Sequence, residues 1–577
     1  MVIFNFFKKI IFIIFFIILE IKKNINLVIN YIKKFNEIKF TSLLSHFFND
    51  SDLKFKNSYV NEFLEKNKKE IKKFKRKEKI LVELLVGHHT EVIVLNCLIA
   101  KDLSDYFNCN CVAIVNRYDF LTQEIAKSFN INNFIYLDEG NFFLKISYFI
   151  KSLFLIDYNL IEKKLFKLKF NKFEIGKSAL EHYSRFHNYD PKKKNKFLLY
   201  QLLYRSLMIS NVAKKIFEKK YKFFILAENQ FLPGKMLFHH SLMSKTPVYT
   251  WRGNSVFGHV GRIYNDYKDR NSIILQQSKK LTKIQIDVFS KKNTSKILFK
   301  KGHVKNIGFE PVWGIQKDKN KLNFNSKEKF YNHFKLERKK NILILPHVMA
   351  DNLYNNNWNI FHTAYDWFYE TIQTIKKIKD VNWIIKPHPY EYNFEGITAE
   401  KIMNELNVGQ KNIIFLKENI HINKIYSLID GIITGNGSAG YEYPSLGIPA
   451  ITTSDAPYSN FNFTISPKNK FEYFEILKKI TNIKKPSKLM IKRAQVYWLS
   501  INTMPNFYEL LPKIKSHAHF KKDLFFSLIS KNSIKRSKKK SLTEDIKFQL
   551  SNRNRHSINI NFINKYNLKS KLNLNDI

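Results

Sequence analysis

Two short segments carry residue types able to grip a phosphorylated ligand. The first, residues 382–391, reads NWIIKPHPYE. Its apolar stretch ends in Lys386-Pro387-His388-Pro389. A proline on each side restricts the backbone, so the His388 imidazole is held in a set direction beyond a strand end. There it can donate a hydrogen bond to a phosphate oxygen, with Lys386 adding charge. The bland reading is a turn histidine with no role. The second segment, residues 431–451, reads GIITGNGSAGYEYPSLGIPAI. Ile432-Ile433-Thr434 is a β-branched strand, Gly435-Asn436-Gly437-Ser438 a tight turn, and a helix follows from Ala439. A glycine turn entering a helix offers backbone N–H groups to an anion, with Gly437 giving close approach. The Ser438 hydroxyl can cap that helix or bond phosphate. Glu442 lies one helical turn on, on the same face, where its carboxylate can accept from ribose hydroxyls. The bland reading is an ordinary connection with a capping serine.

Other candidates sit at the ends of further strands. Glu228, in Ala227-Glu228-Asn229-Gln230, follows a strand at 223–227. A carboxylate there can take a proton from an acceptor hydroxyl; otherwise it is a solvated loop residue. His347 and Asp351 flank the turn after a strand at 341–345 and can position donor or acceptor; otherwise they are a turn histidine and a helix cap. His88 and His89 end the first strand of the N-terminal half, where an acceptor would enter. With Glu91 they invite a metal reading, but no metal is expected. Arg252, after a strand at 247–251, can meet an anionic acceptor or the donor phosphates; otherwise it is a rim residue in solvent.

These positions need a scaffold of strands alternating with helices. The pattern runs 79–86 strand, 91–106 helix, 111–115 strand, 122–129 helix and 134–137 strand. A long helical region follows to about 220, then strands at 223–227 and 247–251 around a helix at 235–244. It restarts with strands at 341–345, 383–385, 413–416, 431–434 and 450–453 and helices at 360–378, 398–406, 422–428 and 439–446. Such alternation implies parallel sheets covered on both faces. The fold class is α/β, two doubly wound units with a ligand cleft between them at the C-terminal ends of the strands. The expected organisation is a basic helical extension over 1–75, an acceptor unit over 76–320, a donor unit over 321–515 and a basic, partly disordered tail over 516–577.

The chain has 577 residues, and its formal charge is +48, from 97 Lys+Arg against 49 Asp+Glu. Lysine is scattered over most polar faces, and no zinc-finger spacing, RRM signature or recognition helix is visible. Nucleic acid is therefore not the expected partner. The three cysteines, Cys97, Cys109 and Cys111, show no metal-ligand spacing. Cys97 and Cys111 read as buried thiols of a reducing, cytoplasmic compartment. Residues 10–19 are an unbroken apolar run preceded by Lys8 and Lys9 and cut short by Glu20, Lys22 and Lys23. A span needs about 20 apolar residues, and no small-residue cleavage site follows. The run reads as an interfacial anchor on an anionic membrane surface, at the inner face of the cytoplasmic membrane, or else as a helix packed on the body.

His-Pro after a strand, then a glycine-flanked serine, a glutamate one turn later and Gly447-Ile448-Pro449 resembles the capsule polysaccharide biosynthesis proteins. These are GT-B glycosyltransferases that include Kdo transferases; polysialyltransferases and CDP-glycerol glycerophosphotransferases share the broader pattern. The resemblance spans about 341–457, with weaker support from the loop 227–234. It implies that His388 and Ser438 grip the donor phosphate, Gly437 supplies backbone and Glu442 meets the ribose. It implies a CMP-, UDP- or CDP-linked sugar donor and a glycan or glycolipid acceptor. No metal cofactor is implied, since Lys, His and a helix dipole stabilise the leaving phosphate. It leaves the base open, with Glu228 a candidate from the N-terminal unit. The competing expectations are a sugar-nucleotide epimerase on the same fold, a glycerophosphotransferase, and a non-catalytic membrane- or polyanion-binding protein.

Overall fold

The computed structural model describes residues 9–23, 53–68, 76–85, 90–137, 142–155, 162–170, 172–187, 195–250, 262–264, 326–350, 360–388, 396–416, 426–453 and 458–503, with a few single positions besides. Two sheets organise them. The first holds β1 (Arg76–Glu83), β2 (Cys109–Val115), β3 (Asn133–Tyr136), β4 (Phe223–Leu226), β5 (Val248–Thr250) and β6 (Arg262–Tyr264). Their order is β3-β2-β1-β4-β5-β6, and all pairs are parallel except β5 with β6. The second holds β7 (Lys340–Leu345), β8 (Val381–Ile385), β9 (Ile413–Phe415), β10 (Gly431–Thr434) and β11 (Ala450–Thr452). Its order is β11-β10-β7-β8-β9, parallel throughout. This is the two-sheet α/β architecture expected from the alternation. β4, β8 and β10 are buried along their whole length, which is why they are mostly apolar rather than alternating; the buried Asn382 of β8 donates to the Glu337 carbonyl and to the Asn341 side-chain oxygen.

The helices are α1 (residues 9–23), α2 (Ser58–Lys68), α3 (Thr90–Phe107), α4 (Phe120–Ser128), α5 (Phe142–Leu155), α6 (Glu162–Lys167), α7 (Ile175–Phe186), α8 (Lys196–Phe217) and α9 (Gly234–Met243). In the second half come α10 (Lys327–Phe334), α11 (Ala364–Ile375), α12 (Ala399–Glu405), α13 (Ala439–Ser445), α14 (Lys470–Lys478) and α15 (Lys488–Thr503). Several begin where a short polar side chain accepts a first-turn amide: Asp119 for α4, Asn195 for α8, Thr363 for α11 and Thr398 for α12. Pro444 lies inside α13, which runs only seven residues.

Helices α6 to α8 share a core with the second sheet. Leu165, Tyr183 and Leu203 belong to one buried cluster with Trp367, Trp383 and Ile433, and the Phe166 ring meets that of His362 at 5.1 Å. α1 packs one face on α5 and α8. Phe16 is fully buried and stacks on Phe149 at 4.0 Å. Glu20 accepts from Lys145 and from the Tyr204 hydroxyl, each at 3.3 Å. No described helix is long and apolar enough to cross a membrane. All three cysteines are free and buried, and burial pushes the Cys111 thiol up to about 12. β6, α14 and α15 were not foreseen from the sequence. Of the helix expected at 422–428, the described part is a 3₁₀ turn, Tyr426–Leu428.

Candidate functional site

In the second sheet the chain runs β7 to β8 to β9 in one direction, then returns to place β10 and β11 on the other side of β7. The switch point therefore lies between β7 and β10, where ligands of open α/β sheets bind. Two turns flank it. One follows Leu345 and carries His347, which is half-buried; the other is Gly435 to Ser438. The His388 turn follows β8, on the far side of β7. β8 and β10 are thus not neighbours. At ordinary strand spacing their ends lie about 10 Å apart, with the His347 turn between them.

Each turn is fixed from behind. The Lys386 amide donates to the Ile344 carbonyl at 3.0 Å, holding the start of the Lys-Pro-His-Pro turn on the sheet. The His388 carbonyl accepts from the Glu391 amide at 2.9 Å. Glu391 in turn accepts from the Ala399 amide at 2.9 Å, tying the turn to the start of α12. Burial lowers the pKa of Lys386, and an anion placed beside it would oppose that shift.

The glycine turn rests on an aromatic nest of Tyr441, Tyr458, Phe461, Phe463 and Tyr497. The Tyr458 hydroxyl donates to the Gly437 carbonyl at 2.6 Å. A Cβ on Gly440 would come within 2.1 Å of that same hydroxyl oxygen, so only glycine allows the approach. Ser438 makes no side-chain capping bond. Its hydroxyl bonds Glu442 instead, which opposes the upward pull of burial on that carboxyl. The amides of Gly440, Tyr441 and Glu442 are already bonded within the turn. Tyr458 was missed from the sequence; its signal was the aromatic spacing around Ala456-Pro457-Tyr458.

The first sheet has the same topology. Its chain runs β1 to β2 to β3, then crosses to β4 and β5 on the other side, so its switch point lies between β1 and β4. Val82 pairs with Ile225, which brings Glu83 and the Glu228 loop to adjacent strand ends. Glu228 is half-buried and accepts from the Gln230 amide at 2.6 Å. A Cβ on Gly234 would meet the Glu228 carbonyl oxygen at 1.9 Å, so the start of α9 clamps this loop, and Glu228 is not a freely solvated residue. Glu83 is 2% exposed. One carboxyl oxygen accepts from the Leu85 amide at 2.5 Å, and the Ala227 backbone also acts on the carboxyl. Burial pushes its pKa up to about 7, the Leu85 amide acts against this, and the Glu228 charge adds to it. Glu83 was not a sequence candidate, although an acid interrupting the apolar run Ile80-Leu81-Val82-Glu83-Leu84-Leu85-Val86 is an unusual residue for a buried strand.

His347, Lys386, His388, Gly437, Ser438 and Glu442 therefore share one edge of the second sheet, and Glu228 occupies the equivalent edge of the first. His88, His89, Asp351 and Arg252 lie outside the described residues. Among the described residues no group of three or more His, Cys, Asp or Glu is arranged to hold a metal ion.

No protein-family model matches the chain, and no curated protein matches it. Solved structures do. A putative UDP-N-acetylglucosamine 2-epimerase from Listeria monocytogenes is 11% identical, covering 73% of this chain and 91% of its own, at a TM-score of 0.23. A glycosyltransferase from Rickettsia africae is 14% identical, covering 74% and 94%, at 0.23. The KpsC β-Kdo 2,4 transferase of Thermosulfurimonas dismutans is 10% identical, covering 48% and 79%, at 0.26. At scores of this size the likeness carries no argument about activity. The fold rests on the two sheets themselves.

Proposed function

We propose that this chain is a glycosyltransferase of capsule or related surface polysaccharide synthesis, moving a sugar from a nucleotide-sugar donor to a glycan or glycolipid acceptor. One observation carries the reading: the two switch points hold complementary chemistry. The second has lysine, histidines and a serine–glutamate pair suited to a nucleoside diphosphate. The first has two carboxylates suited to a hydroxyl nucleophile. In this reading Lys386 and His388 receive the charge that builds on the leaving phosphate, with no metal required. Glu442 meets the ribose, and His347 bonds the diphosphate at the crevice. Glu228 takes the acceptor proton as the acceptor oxygen bonds the anomeric carbon and the carbon–phosphate-oxygen bond breaks.

Titration of CMP, UDP and CDP by calorimetry tests the donor half. At least one should bind, and His388→Ala and Ser438→Ala should each weaken it by about tenfold or more, roughly the loss of one charge-assisted hydrogen bond. Nucleotide affinity that is absent, or unmoved by both changes, removes the reading.

A second reading has support of its own from the Glu83–Glu228 pair. Epimerisation of a nucleotide sugar needs two proton-handling groups around the sugar and no acceptor. Incubating the donor in deuterated water without acceptor distinguishes them: deuterium entering the sugar favours epimerisation, and its absence favours transfer.

A further inference from the structure

α1 has two apolar faces, and only one is covered. Phe16 and Glu20 face α5 and α8, and the buried Glu20–Lys145–Tyr204 bonds latch the helix to the body. The opposite face is a stripe at helical spacing: Ile11, Ile14, Phe15, Ile18 and Ile21, each about half exposed to solvent or more. α5 continues the exposed surface with Phe154 and with Phe143, which is 79% exposed. The Lys9 ammonium lies 4.5 Å from the Phe154 ring, so the two helices present one surface.

Charge indicates what covers it. Residues 1–36 contain six lysines and a single acid, Glu20. That acid is turned into the body. Lys22 stands exposed near the end of the stripe, where its stem can lie along apolar surface and its ammonium reach a headgroup. The unbroken apolar run 10–19, bounded by Lys8 and Lys9 on one side and Glu20, Lys22 and Lys23 on the other, spans about 15 Å as a helix, less than the roughly 30 Å of a hydrocarbon core. The helix is therefore suited to lying in the plane of an interface rather than crossing it.

We propose that the exposed stripe of α1, with Phe143 and Phe154 of α5, is a docking face for an anionic lipid bilayer, held rigidly to the enzyme body by the Glu20 latch. This does not depend on the glycosyl-transfer reading. Because the latch joins α1 to α8, and α8 joins the core of the second sheet, the docking face sets the orientation of the sites above the membrane.

The test is co-sedimentation of the full chain with vesicles of phosphatidylcholine alone or mixed with phosphatidylglycerol. The parent should bind the anionic vesicles. The double variant Ile14→Asn/Ile18→Asn, and separately Phe154→Ser on the other helix, should each lower that binding by about tenfold or more, with an unchanged unfolding midpoint because the residues are exposed. Equal binding by parent and variants would mean that overall charge alone attracts the lipid and would overturn the proposal. So would a lipid-free dimer, seen by light scattering, that the same substitutions dissociate, since the stripe would then be covered by a second copy.

Discussion

Glu83 sits near the middle of its titration at neutral pH, because burial has moved its carboxyl from the ordinary 4.5 to about 7. Between those values the folded protein holds a proton that the unfolded chain has released. The stabilisation linked to that proton is complete below pH 4.5 and is lost as pH rises through 7. Glu83→Gln, which mimics the protonated form, should remove this dependence. Urea midpoints at pH 5 and pH 8 should show the parent losing up to roughly 3 kcal/mol more than the variant over that interval. Identical slopes would mean that the carboxyl titrates as if solvated. Glu228 was legible in the sequence because it opens a polar loop after an apolar strand. Glu83 was not, because a single acid within the expected strand 79–86 reads as a solvent-facing position, and only the pairing of β1 with β4 sets it beside the Glu228 loop.

The connection from β10 to α13 shows an element whose strand, turn and helix follow from local pattern while its side-chain bonds do not. Its strand, glycine turn and helix follow from β-branched residues, Gly435–Gly437 and the run from Ala439. The expected serine cap does not form, because Ser438 turns to Glu442. Tyr458 supports the turn from behind, and it lies 21 residues after Gly437, beyond any local pattern. Gly440→Ala should displace that ring and cost about 1–3 kcal/mol, while Tyr458→Phe should cost about 1 kcal/mol by losing the bond to Gly437. Thermal unfolding measures both, and a Gly440→Ala protein as stable as the parent would mean that the ring gives way freely. β6 was illegible for a different reason: three residues paired antiparallel are too short to show a period.

α8 bridges the two sheets, since its Ala213, Ile216 and Phe217 cluster with Phe224 and Leu226 of β4 while its Leu199, Leu203 and Leu207 join the core of the second sheet. The cluster that joins Leu165, Tyr183 and Leu203 to Trp367, Trp383 and Ile433 puts helices from the first half against the second sheet. One cooperative unfolding transition is therefore expected by circular dichroism and by tryptophan fluorescence alike. Non-coincident curves from the two probes would show that the units unfold separately. The sequence by itself determined the alternation of the main strands and helices, the predominantly parallel pairing that alternation implies, and the polar turns at strand ends, since burial on both faces imposes apolar runs and short polar caps. Strand order was decided only by the tertiary structure. Local pattern shows that a strand is buried but not which strand lies beside it. That order put β7 between β8 and β10, brought His347 into the crevice and set Glu83 beside Glu228.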